Sequence, residues 1–245
     1  HLHRAGDVVV QLGFGIDHLH RAAAQYVGRA QQHRVADRAR SGGGFVPDVI
    51  LGDLDSLRPE VREFYEARGS QVEDLSRDQD STDMQKALEK LQAPRSAGGL
   101  GPAAVWDEVL VVGATGGRLD HQLSNINSLL LFPDLRVVLI GESSLAVRVP
   151  AGRARIEPLR DVEGPSCGLA PLPGPLQAST SGLHWDLNDT EMRFGGLIST
   201  SNLLEGSEGA VDIESDGDLL WMAELAGHLV GSLSEPSVGR VGENT

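Results

Sequence analysis

Asp53 and Asp55 stand one residue apart, directly after the apolar run Val49-Ile-Leu-Gly52. The run reads as the end of a buried strand, with Gly52 turning the chain out of it. If extended geometry persists to Asp55, a period of two puts both carboxylates on one face. Two like charges that close repel unless a cation, a proton or a guanidinium lies between them. Magnesium suits such a place, being a hard ion usually held by one or two carboxylates together with substrate phosphates. Asp and Ser are also common in strand-to-helix turns that hold no ion. On the repulsion argument, Asp53→Asn is expected to leave metal-free stability unchanged or raised.

A second acidic cluster, Arg77-Asp-Gln-Asp-Ser-Thr-Asp83, precedes a helical pattern. Thr82 is placed to cap that helix, with Gln85 completing a capping box. Asp83 then falls in the first turn, where unpaired amides and the helix dipole favour a carboxylate. Capping does not need Asp78 and Asp80 as well, so the loop points to a metal or a cationic ligand. A third candidate is Thr115-Gly-Gly-Arg-Leu-Asp-His121 after the apolar strand Val109-Leu-Val-Val112. Gly116 and Gly117 let the backbone approach a ligand and offer amide donors to anionic oxygens. Arg118 adds a planar fork suited to phosphate. A tight turn with a surface Arg is the alternative.

The elements that must carry these loops are legible in the pattern. Val61, Phe64 and Tyr65 make a helical stripe over 59–68, with Pro59 in the first turn and Gly69 as the stop. Met84, Ala87, Leu88 and Leu91 form the core-facing stripe of the next helix. Short strands are expected at Val8–Val10, 72–75, 108–114 and 136–140, and a helix at 124–131, which together give a βα pattern. Residues 92–104 are Gly, Pro and Ala rich and read as a surface connection. From Ser143 the period changes. Strands are expected at 145–149, 154–156, 167–172, 178–187, 192–194, 197–201, 211–214 and 219–223, the signature of a β-sandwich or barrel.

Composition sets the limits. At 40% apolar residues the chain of 245 can fill a core, which excludes global disorder. A formal charge of −14 with no long basic stretch argues against general nucleic-acid binding but leaves nucleotides open. The lone Cys167 fits a reducing compartment, the cytoplasm, and no apolar run reaches membrane length. The chain opens on His1 without a signal-peptide pattern, as a fragment or a processed chain would. His18 and His20 lack the partners of a metal clip, residues 29–40 form a small basic patch, and Ser41-Gly-Gly-Gly44 lacks the Lys of a Walker loop.

From about residue 45 to 225 the chain resembles thiamine pyrophosphokinases of the eukaryotic type. The resemblance is carried in order by Pro47 to Tyr65, Asp78-Gln-Asp-Ser-Thr-Asp83 and Gly116-Gly-Arg-Leu-Asp-His-Gln122. Thr180-Ser-Gly-Leu-His-Trp-Asp-Leu187 and Phe194-Gly-Gly-Leu-Ile-Ser-Thr-Ser-Asn202 extend it into the second half. It implies an α/β N-terminal domain (1–142) joined to an all-β C-terminal sandwich domain (143–230), with a flexible tail over 231–245. It also implies a cytoplasmic homodimer with active sites shared between subunits. The implied reaction moves the terminal diphosphate of ATP to the hydroxyl of thiamine, leaving AMP.

In that scheme Asp53, Asp55 and Asp83 surround Mg2+ and the phosphates, and Arg118 joins them as the catalytic set. Gln79, Asp80 and Thr82 share the acidic loop on the nucleotide side. Gly116, Gly117, Arg118, Asp120 and Gln122 meet ATP. Trp185 faces the pyrimidine of thiamine from the partner subunit, where stacking and cation–π attraction suit a flat cation. Ser199, Thr200, Ser201 and Asn202 line the same pocket. The alcohol proton is assigned to Asp55 or Asp83. One stretch departs from the family: an early Asp-Gly-Gly-Ala-Asn turn is replaced by Val35-Ala-Asp-Arg-Ala-Arg40 and the glycines that follow. That departure motivates an alternative from another class, a catalytically impaired thiamine-binding homodimer.

Overall fold

A computed structural model describes residues 8–10, 46–100, 108–141, 143–159, 163–206 and 209–225. The two histidines, the basic patch, the glycine joint, the departure at 35–40 and the tail all lie outside the described residues.

Strand β1 (Val8–Val10) pairs in parallel with β4 (Val109–Val112), and β4 pairs in parallel with β5 (Val137–Ile140). Strand β5 then turns through a tight hairpin into β6 (Ser144–Val149), pairing Ile140 with Leu145. The change of period at Ser143 is thus a corner inside one continuous sheet. Its order is β1-β4-β5-β6-β13-β8-β11, where β8 is Glu163–Leu172, β11 is Ser199–Leu203 and β13 is Asp218–Leu225. A second, antiparallel sheet of four strands has the order β10-β9-β12-β7. It comprises β7 (Gly152–Ile156), β9 (Leu176–Ser181), β10 (Thr190–Met192) and β12 (Val211–Ser215).

The long strand β13 explains how the two halves hold together. Its side chains alternate faces as strand geometry requires. Leu219, Trp221 and Ala223 enter the sandwich core with Leu169, Leu176, Met192, Val211 and Ile213. Leu220 enters the other core, with Met84, Leu88 and Leu91 and with Val109, Val111, Leu129 and Leu139. A strand apolar on both faces is what a shared layer needs.

Strand β2 (Val49–Gly52) pairs in parallel with β3 (Gln71–Asp74) as a separate two-stranded sheet. Helix α1 (Pro59–Glu66) connects them, with Pro59 at its start as expected. Helix α2 (Asp83–Gln92) carries the predicted stripe and buries it. Helix α3 (Leu119–Leu131) begins five residues earlier than its apolar pattern suggests, directly after the paired glycines. Its first turn, Leu119 to Gln122, is largely exposed and has no buried apolar residue, so hydrophobic periodicity cannot show it.

Candidate active site

The acidic pair at the end of β2 is built by backbone shape. Strand geometry stops at Gly52, and Leu54 adopts a left-handed conformation with φ 57°. A Leu there is strained, since its Cβ crowds the following carbonyl. Asp55 is therefore turned into an exposed bend instead of sharing a strand face with Asp53. The like-charged neighbour of Asp53 is Asp83, whose Oδ1 accepts the Asp53 backbone N–H at 3.1 Å. Gly52 makes this possible, because a Cβ on it would lie 2.6 Å from Asp83 Oδ1.

The cation between the two carboxylates is Lys86. Its Nζ donates to Asp53 Oδ1 and lies 3.8 Å from Asp83 Oδ1. Lys86 is one of few buried polar residues, at 3% exposure. Burial works against its charge. The Asp53 hydrogen bond and the charges of Asp53, Asp83 and Asp78 outweigh burial, leaving the ammonium's pKa above its ordinary value. This reverses the expectation for Asp53→Asn. Removing that carboxylate strands a buried ammonium, and the repulsion it relieves is already neutralised.

The loop before α2 is explained largely by its own hydrogen bonds. Asp78 accepts the backbone N–H groups of Asp80 and Ser81 at 3.0 and 3.3 Å and the Ser81 hydroxyl. The Ser81 hydroxyl, then the Asp80 amide, hold the Asp78 carboxyl below its ordinary pKa. Gln79 donates to the Ser76 carbonyl, and Asp80 is exposed. Thr82 and Gln85 form the expected capping box. That box fixes the start of the helix that carries both Asp83 and Lys86.

The glycine turn after β4 presents Arg118 at the N-cap of α3. Gly116 and Gly117 have φ of 108° and 69°, values that favour glycine. Gly141 leaves room for Thr115 behind the turn, since a Cβ there would strike the Thr115 hydroxyl. Arg118 grips Asp120 with two guanidinium nitrogens while both side chains stay exposed. The pairing raises the Arg118 pKa and lowers that of Asp120. Gln122 reaches the Gly117 carbonyl at 3.4 Å.

Trp185 lies on the sandwich half, and its indole is 57% exposed. The loop that carries it leaves β9 at Ser181 because Gly182 has φ 105° and Asp186 gathers Thr180, Gly182 and Leu183 by hydrogen bonds. The buried Asn202 locks this loop to β11. Its Oδ1 accepts from the Trp185 backbone at 3.1 Å, and its Nδ2 donates to the Trp185 carbonyl at 2.9 Å. The same amide also reaches Ser199 Oγ and the Leu203 N–H. His184 stands edge-on to the indole with ring centroids 4.4 Å apart. Thr200 and Ser201 are exposed on a bulge in β11, the edge strand of the large sheet.

Comparison with known proteins assigns the family. Residues 7–139 match the family model of the thiamin pyrophosphokinase catalytic domain, and residues 153–220 match that of its vitamin B1 binding domain. The chain belongs to the thiamin pyrophosphokinase family. It is 44% identical over 186 residues to thiamine pyrophosphokinase 1 of Arabidopsis thaliana, covering 74% of this chain and 66% of that one. It is 42% identical over 186 residues to thiamine pyrophosphokinase 3 of Oryza sativa subsp. japonica, covering 75% and 68%. The chain thus spans about two thirds of the length of these plant relatives. Thiamin pyrophosphokinase structures from yeast (TM-score 0.66, 20% identity, 82% of this chain and 77% of that one) and Candida albicans (0.64, 23%, 80% and 78%) share the fold.

Among the expected pyrophosphokinase residues, the structure brings together Asp53 and Asp83, with Thr82 and Gln79 on the loop leading into them. It does not bring Asp55 to them. Among the described residues no three Asp, Glu, His or Cys side chains converge as a metal-holding group. Two carboxylates suffice for magnesium when phosphates and water complete its shell. Asp53 and Asp83 therefore fit the ion as a pair. The sequence reading missed Lys86. Its signal was the i,i+3 spacing from Asp83, hidden beside a strong apolar stripe.

Proposed function

We propose that the chain is an ATP-dependent thiamine diphosphokinase, transferring the terminal diphosphate of ATP to thiamine and releasing AMP. The observation that carries this reading is the pairing of Asp53 with Asp83 at a strand's C-terminal end, in a chain that also presents an exposed Trp185. Ligands of open parallel sheets bind at such strand ends.

The thiamine hydroxyl oxygen attacks the β-phosphorus of ATP. The bond from that phosphorus to the oxygen bridging the α-phosphate breaks, and AMP leaves with the bridging oxygen. Asp53 and Asp83 would hold magnesium, which would supply charge neutralisation on the phosphates. The Gly116 and Gly117 amides and Arg118 bind non-bridging oxygens, with Arg118 exchanging Asp120 for phosphate. Gln79, Asp80 and Gln122 border the nucleotide. A carboxylate of this turn, Asp55 or Asp83, takes the alcohol proton. Trp185 stacks on the pyrimidine, and Ser199, Thr200 and Ser201 line the pocket around it. Asn202 acts through Trp185, because its amide is spent on holding that loop.

Phe194 and Leu197 are exposed in the loop before β11, and Leu203 is exposed on β11, the strand to which Asn202 ties the Trp185 loop. Exposed apolar surface of this kind supports a homodimer in which Trp185 serves the partner's acidic site. The reading places the enzyme in the cytoplasm, consistent with the single, buried Cys167. No helix among the described residues is long and apolar enough to cross a membrane.

Purified protein given ATP, magnesium and thiamine is expected to form AMP and thiamine diphosphate in equal amounts. Thiamine binding without AMP formation would instead identify a silent thiamine-binding dimer.

A further inference from the structure

The acidic site holds its carboxylates in an unusual way: each has one oxygen already committed to a protein donor. Asp53 Oδ1 accepts the Lys86 ammonium. Asp83 Oδ1 accepts the Asp53 backbone N–H at 3.1 Å and faces Lys86 at 3.8 Å. Among the described residues, no hydrogen bond engages Oδ2 of either group. Gly52 leaves Asp83 wedged against the strand end, where a Cβ would lie 2.6 Å from Oδ1 and 3.1 Å from Oδ2. Lys86 is itself buried, with a side chain 2% exposed on a helix whose start is fixed by a capping box.

The Lys86 ammonium on Asp53 Oδ1 repels a second cation at that oxygen, so Asp53 offers a metal ion chiefly its other oxygen. Calcium takes six to eight oxygens in flexible shells and gains from carboxylates that can turn to bidentate contact, although it also accepts single oxygens. Magnesium demands a near-ideal octahedron and is content with single oxygens, phosphates and water. We propose that Lys86 is a specificity-determining positioning residue: it restricts Asp53 to one-oxygen coordination and so makes the site select magnesium over calcium. This rests on the magnesium reading given above and adds a named residue as the source of selectivity. Lys86 acts through Asp53, so it is a positioning residue.

The test is a thermal-unfolding titration with Mg2+ or Ca2+ in the presence of a non-hydrolysable ATP analogue. The analogue's own affinity for each ion cancels when variants are compared. Wild type is expected to be stabilised at lower Mg2+ than Ca2+. In Lys86→Met the Asp53 carboxylate is free to present both oxygens, and the preference for Mg2+ should fall by about tenfold or more, the range seen when a ligand's supporting partner is lost. Lys86→Arg, which keeps a donor on Asp53, should retain most of the preference. A merely structural lysine would lower the unfolding temperature in Lys86→Met without altering the ratio between the two ions, and that result overturns the inference. Wild-type protein that binds Ca2+ as well as Mg2+ overturns it too, even if Lys86→Met does not fold. No response of wild type to Mg2+ would remove the magnesium reading itself, and the role of Lys86 with it.

Discussion

Lys86 Nζ donates to Asp53 Oδ1 from a side chain that is 2% exposed, while Asp53 itself is 34% exposed. The lysine is thus the member of the pair that cannot be left alone. Asp53→Asn is expected to destabilise the metal-free protein by about 1–3 kcal/mol, less than for a fully buried pair because Asp53 is partly solvated. Urea unfolding measures this directly. Adding Lys86→Met to Asp53→Asn should recover part of the loss, since the stranded charge is then gone. Equal or higher stability of Asp53→Asn alone would contradict the pairing.

Gly52 gives a second prediction. It combines φ 142° with a Cβ position 2.6 Å from Asp83 Oδ1. Gly52→Ala should cost about 1–3 kcal/mol of stability and displace Asp83, with activity falling further than stability explains. Comparing turnover at a temperature where both proteins are fully folded separates the two effects.

The acid limb of stability should report the loop before α2. The folded-state pKa of Asp78 is depressed, first by the Ser81 hydroxyl and then by the Asp80 amide. A depressed carboxyl contributes stability that is present above its unfolded value, 3.8, and is lost as pH falls through the folded value. Unfolding temperature should therefore drop below about pH 4, and Ser81→Ala should make that drop shallower. Identical acid profiles for the two proteins would mean that the Ser81 contact has no weight in solution.

Asn202 supplies the fourth. Its side-chain amide holds both the N–H and the carbonyl of Trp185. Asn202→Ala leaves those groups unpaired next to the core, at a cost of about 1–3 kcal/mol. If Asn202 works by placing Trp185, the variant should raise KM for thiamine and leave KM for ATP nearly unchanged. A parallel rise in both would point to general loosening.

These cases also show what a sequence can and cannot carry. The capping box at Thr82, the stripe of α2 and the buried run of β4 were legible because each is a local pattern with one physical cause. The end of β9 was not. Val and Ile are absent there, and strand pairing stops at Ser181 through the conformation of Gly182 and the bonds of Asp186. The continuity of β5 and β6 was hidden for another reason, since a tight hairpin and a domain boundary both appear as a change of period. At the site, residue types made Asp53 and Asp83 candidates, but their meeting depends on contacts thirty residues apart in the chain. The strand-face argument for Asp55 failed at one residue, Leu54, whose left-handed backbone no apolar pattern announces.

The central claim is that the Asp53 cluster of one subunit and Trp185 of the other serve a single reaction. Trp185→Ala alone should weaken thiamine binding by about 1–3 kcal/mol, the order expected for one stacking aromatic. Asp53→Asn alone should abolish turnover. The most direct measurement is the activity of a purified mixed dimer with Trp185→Ala in one subunit and Asp53→Asn in the other. One of its two sites then collects both defects and the other collects neither, so activity should return to about half that of wild type by symmetry. Activity no higher than that of the two parent variants, after verified subunit exchange, would show that Asp53 and Trp185 serve the same subunit's site and would contradict the account.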